Sequence, residues 1–595
     1  MVFLLRLFPD PEPARQALSE AIEGRSFIFE YFTVFSRIAL CLLALFIVVR
    51  CAGSLLSSKA EAELWGHITL KAGDLKLPVT HWENTIGRSK NSDITINFPT
   101  VSRSHAALIR DGGLWRITDL GSKVGTKVNG EEIVRDQSRL IKYGDIVEIG
   151  GVEARFDPLT EEEKQANMNR TPPGLDIRPS FTFYLLTVFQ VIMAIQLSIS
   201  AGLRFCWEIP FCFAAFIVIM WVYFIFFRIQ NRRGFEIDTI AFFLGTLGLS
   251  VTASSEPEGI LMQFLALSVG IVTFVALGWF LRDLKRAQMM RWPMAAAAIG
   301  LLGFTILLGT VVNGQKNWVF IGSMSIQPSE IAKMCFIYAG AASLDRLFAK
   351  RNIWMYVALS VACVGALAYM SDFGGVLLFF VAFLVVAYLR SGDLKTIIFA
   401  VASAVFGGVI VLRFKPYILG RFQSWRHAWE YAHDGGYQQT RTMSAAASGG
   451  LFGVGSGQGW LKRIPAADTD LVFGMVAEEM GLIIAVCAVT CICVLAVFAA
   501  KSTVTSRSAF YSIAACSATA LLVFQMTLNV LGSVDILPLT GVTFPFVSNG
   551  GSSLVSSFGL LAFIKAADTR QNASFASMPQ KKVFRRGERA HEKAS

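Results

Sequence analysis

The stretch "IPAADTDLVFGMVAEEMGLIIAVCAVTCICVLAVFAA", residues 464–500, decides how this chain is read. It is apolar enough to lie in lipid, yet Asp468 and Asp470 stand at its mouth and Glu478 and Glu479 lie about two turns further on. Carboxylates are costly in a membrane span and mark either a polar surface or a partnered interior. The surrounding composition agrees with a membrane protein: 595 residues, 54% hydrophobic and only 16% charged, with a mean hydropathy of +0.52. The apolar residues come in continuous blocks rather than in alternation, which predicts spanning helices rather than barrel strands.

The blocks predict thirteen spans, near 30–49, 181–203, 208–227, 237–254, 259–281, 292–312, 328–346, 353–370, 373–390, 394–413, 471–499, 508–530 and 551–567. Most of the ten cysteines fall inside apolar runs and read as small core residues, not as a disulfide framework. The run "MVFLLRLFPDPEP" is too short for a cleavable signal. Lysine and arginine concentrate in alternate loops, "RIQNRRGFE", "RDLKRAQMMR", "DRLFAKRN" and "RSGDLK", and in the tail "KKVFRRGERAHEK". By the positive-inside tendency these are cytoplasmic, and the long loop 414–470 is extracellular. The net charge of +11 is accounted for by those loops and the tail, so no nucleic-acid partner is expected.

Residues 62–157 break the pattern. Short alternating runs such as "HITLKAG", "DITINF", "HAALIR", "LWRITDL" and "DIVEIGG", separated by Gly, Asn and Asp, predict a soluble β-sandwich. The expected organisation is therefore a segment 1–61 with one helix, the β-domain 62–157, a linker 158–180, two helices in 181–236, a ten-helix domain 237–568, and a basic tail 569–595. The fold class is mainly α, a polytopic helical bundle carrying an inserted all-β sandwich.

The β-domain resembles a forkhead-associated (FHA) domain on four ordered motifs: "GRS" at Gly87, "SRSHA" at Ser102, "GTKVNG" at Gly125 and "GDIVEIG" at Gly144. The resemblance implies a phosphothreonine-peptide reader, with Arg88 binding the phosphate, Ser102 donating a hydroxyl, Arg103 assisting, and Asn129 shaping the binding end. Val124 stands where that family usually has the Asn that clamps the peptide backbone. His105 is expected to buttress the loop. The alternative is a docking module that ignores phosphate.

From residue 237 onward the chain resembles the SEDS family (shape, elongation, division and sporulation; the FtsW/RodA/SpoVE proteins). The carrying motifs are "GQKNWVFIGSMSIQPSEIAK", "SDFGGVLLF", "GGYQQTRTMSAAASGGLFGVGSGQG", "ADTDLVFGMVAEEMG" and "LPLTGVTFPFVSNGGSSL", all in the family's order. Asp468 and Asn549 replace the usual His and Tyr. The resemblance implies a peptidoglycan glycosyltransferase that polymerises lipid II, an undecaprenyl-pyrophosphate-linked substrate, beside a class B penicillin-binding protein. Its catalytic carboxylate maps onto Asp470.

The residues themselves allow that chemistry. A partly desolvated Asp470 can act as a base, although a helix cap would use the same residue. Lys333 follows Glu330 by three residues on one face of a predicted helix, beside Gln327, and the three are candidates for the substrate groove, as are Arg421, Arg441 and Ser552. Glu478 and Glu479 lie about 12–14 Å beyond Asp470 on an unbroken helix, too deep to share its site. "SNGGSS" at 548–553 reads equally as an anion-receiving helix start or as a tight turn. No His or Cys cluster has metal spacing, so no cofactor is expected, and a divalent ion held by substrate phosphates remains open. Competing readings are a lipid II flippase and a non-catalytic division scaffold. The FHA module implies a phosphoprotein or Ser/Thr kinase pathway as partner.

Overall fold

The computed structural model describes residues 11–57, 62–168, 177–201, 206–343, 349–391, 398–402 and 423–576, less positions 72, 91, 112, 135–136, 313, 323, 399, 504 and 571 within them. The expected span 394–413 and Arg421 fall largely or wholly outside these residues.

The chain opens on α1 (Pro11–Ser57), whose apolar part runs from Phe29 to Ser57. The β-domain follows as two packed sheets. One has the order β2 (Leu75–Val79), β1 (Gly66–Leu70), β11 (Val152–Asp157), β10 (Ile146–Ile149), β7 (Thr126–Val128), β8 (Glu131–Glu132). The other runs β4 (Ile94–Thr95), β3 (Glu83–Gly87), β5 (Ala106–Asp111), β6 (Leu114–Asp119), β9 (Ser138–Ile141). Alternation decides the inward face: in β11, Val152, Ala154 and Phe156 are buried while Glu153 and Arg155 face out. Ile68, Ile86, Ile117 and Ile149 complete a core separate from that of the helices.

After the short α2 (Glu161–Met168) come α3 (Pro179–Ser200), α4 (Glu208–Ile229), α5 (Glu236–Ser255), α6 (Ile260–Phe280), α7 (Leu284–Met289) and α8 (Arg291–Leu308). The bundle continues with α9 (Pro328–Ser343), α10 (Ala349–Tyr369) and α11 (Phe373–Ser391), then α12 (Tyr437–Gly449), α13 (Ala467–Asp470), α14 (Val472–Glu479), α15 (Leu482–Thr503), α16 (Ala509–Ser533) and α17 (Gly551–Ala567). Among the described residues eight helices are long and apolar enough to cross a membrane, and three shorter ones are apolar. α5 is the central staff, with every residue from Ile237 to Ser254 buried.

Two features depart from the expected spans. Residues 310–326 form a three-stranded sheet, β12 (Thr310–Val312), β13 (Gln315–Ile321) and β14 (Met324–Ile326), between α8 and α9. The predicted helix 471–499 is instead broken into α14 and α15. The break is at Gly481, whose φ is +96° and where a Cβ would lie 2.3 Å from the Leu451 carbonyl oxygen. The glycine-rich loop 449–461 wraps the end of α14: Val454 and Gly455 N–H groups donate to the Glu478 and Glu479 carbonyls at 2.8 and 2.9 Å. A continuous helix would take those carbonyls for itself, so loop and helix continuation exclude each other.

The β-domain docks on the turn between α15 and α16. Trp82 N–H donates to the Arg507 carbonyl (2.6 Å), Ser508 Oγ donates to Glu83 (3.0 Å), Gln288 donates to Glu83 (3.0 Å), and Arg507 pairs with Glu63 (3.0 Å). Trp82 packs edge-on against Tyr511.

Substituting Gly481→Ala forces a Cβ into the loop carbonyl in a left-handed backbone. We expect a loss of about 2–3 kcal/mol or more, seen as a lower thermal midpoint of the purified protein.

Candidate functional site

The end of α16 remote from the β-domain carries the candidate site. Ser508, which touches the β-domain, and Asn529 are 21 residues apart on or beside α16, about 31 Å at 1.5 Å per residue, the thickness of a hydrocarbon core. Asn529 is buried, and its amide N–H groups face three carbonyls: Val542 (2.9 Å), Asp470 (3.1 Å) and Thr469 (3.5 Å). This holds α13 against the segment that follows α16.

That segment, 540–556, collects the predicted residues. Asp470 is half-buried and its carboxylate oxygen lies 3.3 Å from where a Cβ on Gly541 would be. Gly541 has a φ of +70°, so backbone conformation and the approaching carboxylate both call for glycine. Ser548 Oγ donates to the Thr469 carbonyl (2.7 Å). Ser552 Oγ accepts from Gln327 N–H (3.0 Å), and Ser556 Oγ donates to the Glu330 carbonyl (2.8 Å). Of the "SNGGSS" hydroxyls, Ser552 and Ser553 are thus already engaged, Ser553 with Thr543 at 2.7 Å.

Lys333 and Glu330 are buried on α9 with Lys333 Nζ 2.8 Å from the Glu330 carboxylate. Beside them sequence reasoning missed Asp372, whose carboxylate accepts from Gly375 N–H (2.8 Å) and from the Asn317 side chain. The same turn places Gly374 against Val542 and Thr540. Asn317 Oδ1 and the Thr540 hydroxyl are buried without a hydrogen-bond partner, unmet capacity that a ligand or water would fill. Arg441 sits on α12 with its guanidinium 5.2 Å from the Tyr437 ring centre.

Glu478 and Glu479 have a different task. Glu478 accepts from Trp460 and Leu461 N–H (2.8 and 3.0 Å); Glu479 accepts from Gly457 N–H (2.8 Å) and Ser254 Oγ (2.5 Å). Buried carboxylates need such donors, and here they fasten loop 449–461 to α14 and α5.

Two of the departures from the family motifs, Asp468 and Asn549, meet. Asn549 Nδ2 donates to Asp468 Oδ2 (2.8 Å), Asn549 N–H donates to the Asp468 carbonyl (2.8 Å), and Ser255 Oγ donates to Asp468 (3.3 Å). Two replacements 81 residues apart are mutually satisfied.

On the β-domain, Arg88 and Arg103 are exposed on neighbouring loops, and Ser102 Oγ accepts from Lys123 N–H (3.1 Å). His105 is buried; its Nδ1 accepts from Ser102 N–H (3.1 Å), so Nε2 carries the proton to the Gly125 carbonyl (3.0 Å). Asp119 braces the next loop. Burial works to raise its carboxyl, but donation from Ser122 and Thr126 hydroxyls and from Ser122 and Gly121 N–H outweighs it and holds the group below the usual range. Val124 is exposed at this loop. Asn129, with φ +50°, sits with Gly130 in the turn after β7, donating to Asp145 (3.0 Å) and accepting from Ile146 N–H (2.9 Å); its amide and the Lys142 N–H hold the Asp145 carboxyl low.

A model of the FtsW/RodA/SpoVE cell cycle proteins matches residues 239–573, and an FHA domain model matches residues 84–150. The chain belongs to the FtsW/RodA/SpoVE family. It is 30% identical to the peptidoglycan glycosyltransferase RodA of Mycobacterium leprae over 319 residues, covering 51% of this chain and 68% of the relative. It is 30% identical to the probable peptidoglycan glycosyltransferase FtsW of Tolumonas auensis over 371 residues, covering 58% and 94%. Among solved structures, a chain of a peptidoglycan synthase complex aligns at 23% identity and TM-score 0.47, covering 56% of this chain and 96% of that one. The Thermus thermophilus RodA aligns at 22% identity and TM-score 0.41, covering 56% and 94%. The family region takes in α5 through α17, while α1, the FHA domain, α3 and α4 precede it.

In this family member the Asp468–Asn549 contact is a genuine pair. A double-mutant cycle with Asp468→Ala and Asn549→Ala, read by thermal unfolding, is expected to give a coupling of about 1–2 kcal/mol.

Proposed function

We propose that this protein is a peptidoglycan glycosyltransferase that polymerises lipid II, with Asp470 as its general base. The observation that carries the reading is the convergence on segment 540–556 of Asp470, Gln327, Ser552 and the Glu330–Lys333 pair, at the end of the bundle away from the FHA domain. The family relatives named peptidoglycan glycosyltransferases support it.

In this reading Asp470 takes the proton from the acceptor sugar hydroxyl as that oxygen bonds to the anomeric carbon of the donor. The bond from that carbon to the undecaprenyl pyrophosphate breaks, and the electron pair leaves on the phosphate. Lys333 supplies positive charge near the departing group and Gln327 and Ser552 supply polar contacts, with Arg421 and Arg441 as further cations. The position of Asp470 at a helix end supports a substrate whose sugar lies in the headgroup layer.

The distribution of lysine and arginine supports an extracellular loop 414–470 and a cytoplasmic FHA domain and tail. The FHA domain then reads a phosphothreonine protein of a Ser/Thr kinase pathway through Arg88 and Ser102, with Arg103 beside them. A class B penicillin-binding protein as crosslinking partner fits the synthase complex to which the chain is similar.

Purified protein with labelled lipid II, with and without a candidate class B partner, is expected to form glycan polymer. Asp470→Asn should lower the rate by about 10²–10⁴-fold; no polymer from the wild type with partner present would turn the reading toward lipid movement or scaffolding. Arg88→Ala in the full-length chain is expected to abolish the preference for phosphorylated over unphosphorylated threonine peptides, measured by fluorescence anisotropy.

A further inference from the structure

At the FHA end of the bundle, α1 and the start of α3 flank an open cavity of about 500 Å³, lined among the described residues by Arg50, Arg178, Ser180 and Phe181. Its size suits a small polar ligand, since such pockets run to about 300–1,000 Å³. Both helices precede the family-matched region, and the cavity is separate from the site around Asp470. Among the described residues two cations and a hydroxyl line it.

The Arg50 guanidinium is held in place. Its carbon lies 5.6 Å from the Phe46 ring centre and 5.2 Å from that of Phe181, so two aromatic faces fix its orientation. Its Nε is buried and has no hydrogen-bond partner. An oriented guanidinium with an unused buried donor is an incomplete charge-assisted pair. The first turn of α3 adds to this: Arg178, at its N-cap, makes no side-chain cap, and Pro179 follows.

Depth selects among the anions. The apolar run of α1, 29 residues or about 43 Å, exceeds a hydrocarbon core of about 30 Å, so its last turns stand among headgroups. Arg50 is seven residues from that end, and Ser180 is the second residue of the 22-residue α3 at the same end. One turn toward the membrane centre from Arg50 and Ser180, Phe46 and Tyr184 are exposed, 47% and 57%, continuing the cavity as an apolar surface. A free phosphate would use the arginines and leave that surface unmatched.

We propose that this cavity binds the phosphate headgroup of an anionic glycerophospholipid, with its acyl chains lying along Phe46 and Tyr184. The phosphodiester pairs with the Arg50 guanidinium, and Arg178 and Ser180 close on its other oxygens. The site would moor the base of the two helices that carry the FHA domain's flanking segments.

Native mass spectrometry of the full-length protein, titrated from detergent with phosphatidylglycerol or with phosphatidylcholine of the same chains, tests this. We expect one phosphatidylglycerol to be retained in preference, with affinity falling at least about tenfold in the Arg50→Gln/Arg178→Gln double variant. Arg228→Gln, which removes a cation near the same end of the bundle but outside the cavity, should leave it unchanged. Arg50→Lys/Arg178→Lys keeps the charge while removing the fork and should be intermediate; size-exclusion profiles matching the wild type establish that the variants fold. Equal retention of both lipids, equal loss in Arg228→Gln, or full displacement by millimolar glycerol phosphate would overturn the proposal, the last by showing a free-phosphate site.

Discussion

The segment from residue 540 to 556 is the constraint on which the rest of the membrane domain depends. It has little regular structure before α17 begins, so its backbone is free to meet other elements rather than itself. It meets α13 through Gly541, Ser548 and Asn549, the start of α9 through Ser552 and Ser556, and the turn before α11 through Thr540 and Val542. Asn529 ties it to α16 from behind. An irregular backbone deep in a membrane protein is tolerated only where protein or a cavity satisfies it, and here that satisfaction is what gathers the polar side chains.

The same economy governs the other irregular stretch. Loop 449–461 donates five N–H groups to the carbonyls and carboxylates of Glu478 and Glu479, which ends α14; Asp470 stands on the separate short helix α13, parted from α14 at Leu471. The carboxylates that make residues 464–500 an unusual membrane sequence therefore divide their work. Glu478 and Glu479 build the support, Asp468 pairs with Asn549, and Asp470 lies against Gly541 of segment 540–556.

Much of this was legible before any coordinates. The β-sandwich announces itself through local alternation and turn residues, and most spans through continuous apolar runs, because both signals lie within a few residues of one another; its likeness to FHA domains rested on the four ordered motifs. Asp470 and the Gln327–Glu330–Lys333 group stood out through the family motifs. The break at Gly481 did not, since it depends on the Leu451 carbonyl, 30 residues earlier in the chain. The Asp468–Asn549 pair spans 81 residues and was visible only as two separate departures. The 310–326 sheet has its signal in the sequence, an Asn-Gly pair at 313–314 between β-branched and aromatic residues. Asn529 and Asp372 were also readable as polar residues in or beside apolar spans, but nothing in the sequence said which backbone groups they would serve.

The most direct test of the account is the position of the lipid II pyrophosphate bound to the full-length Asp470→Asn protein, determined by cryo-electron microscopy in nanodiscs. The account predicts density in contact with residue 470 and segment 540–556, with the phosphates toward Lys333 and Ser552, at the end of α16 opposite the FHA domain. Pyrophosphate density at the FHA end, or along a path that avoids segment 540–556, would contradict it.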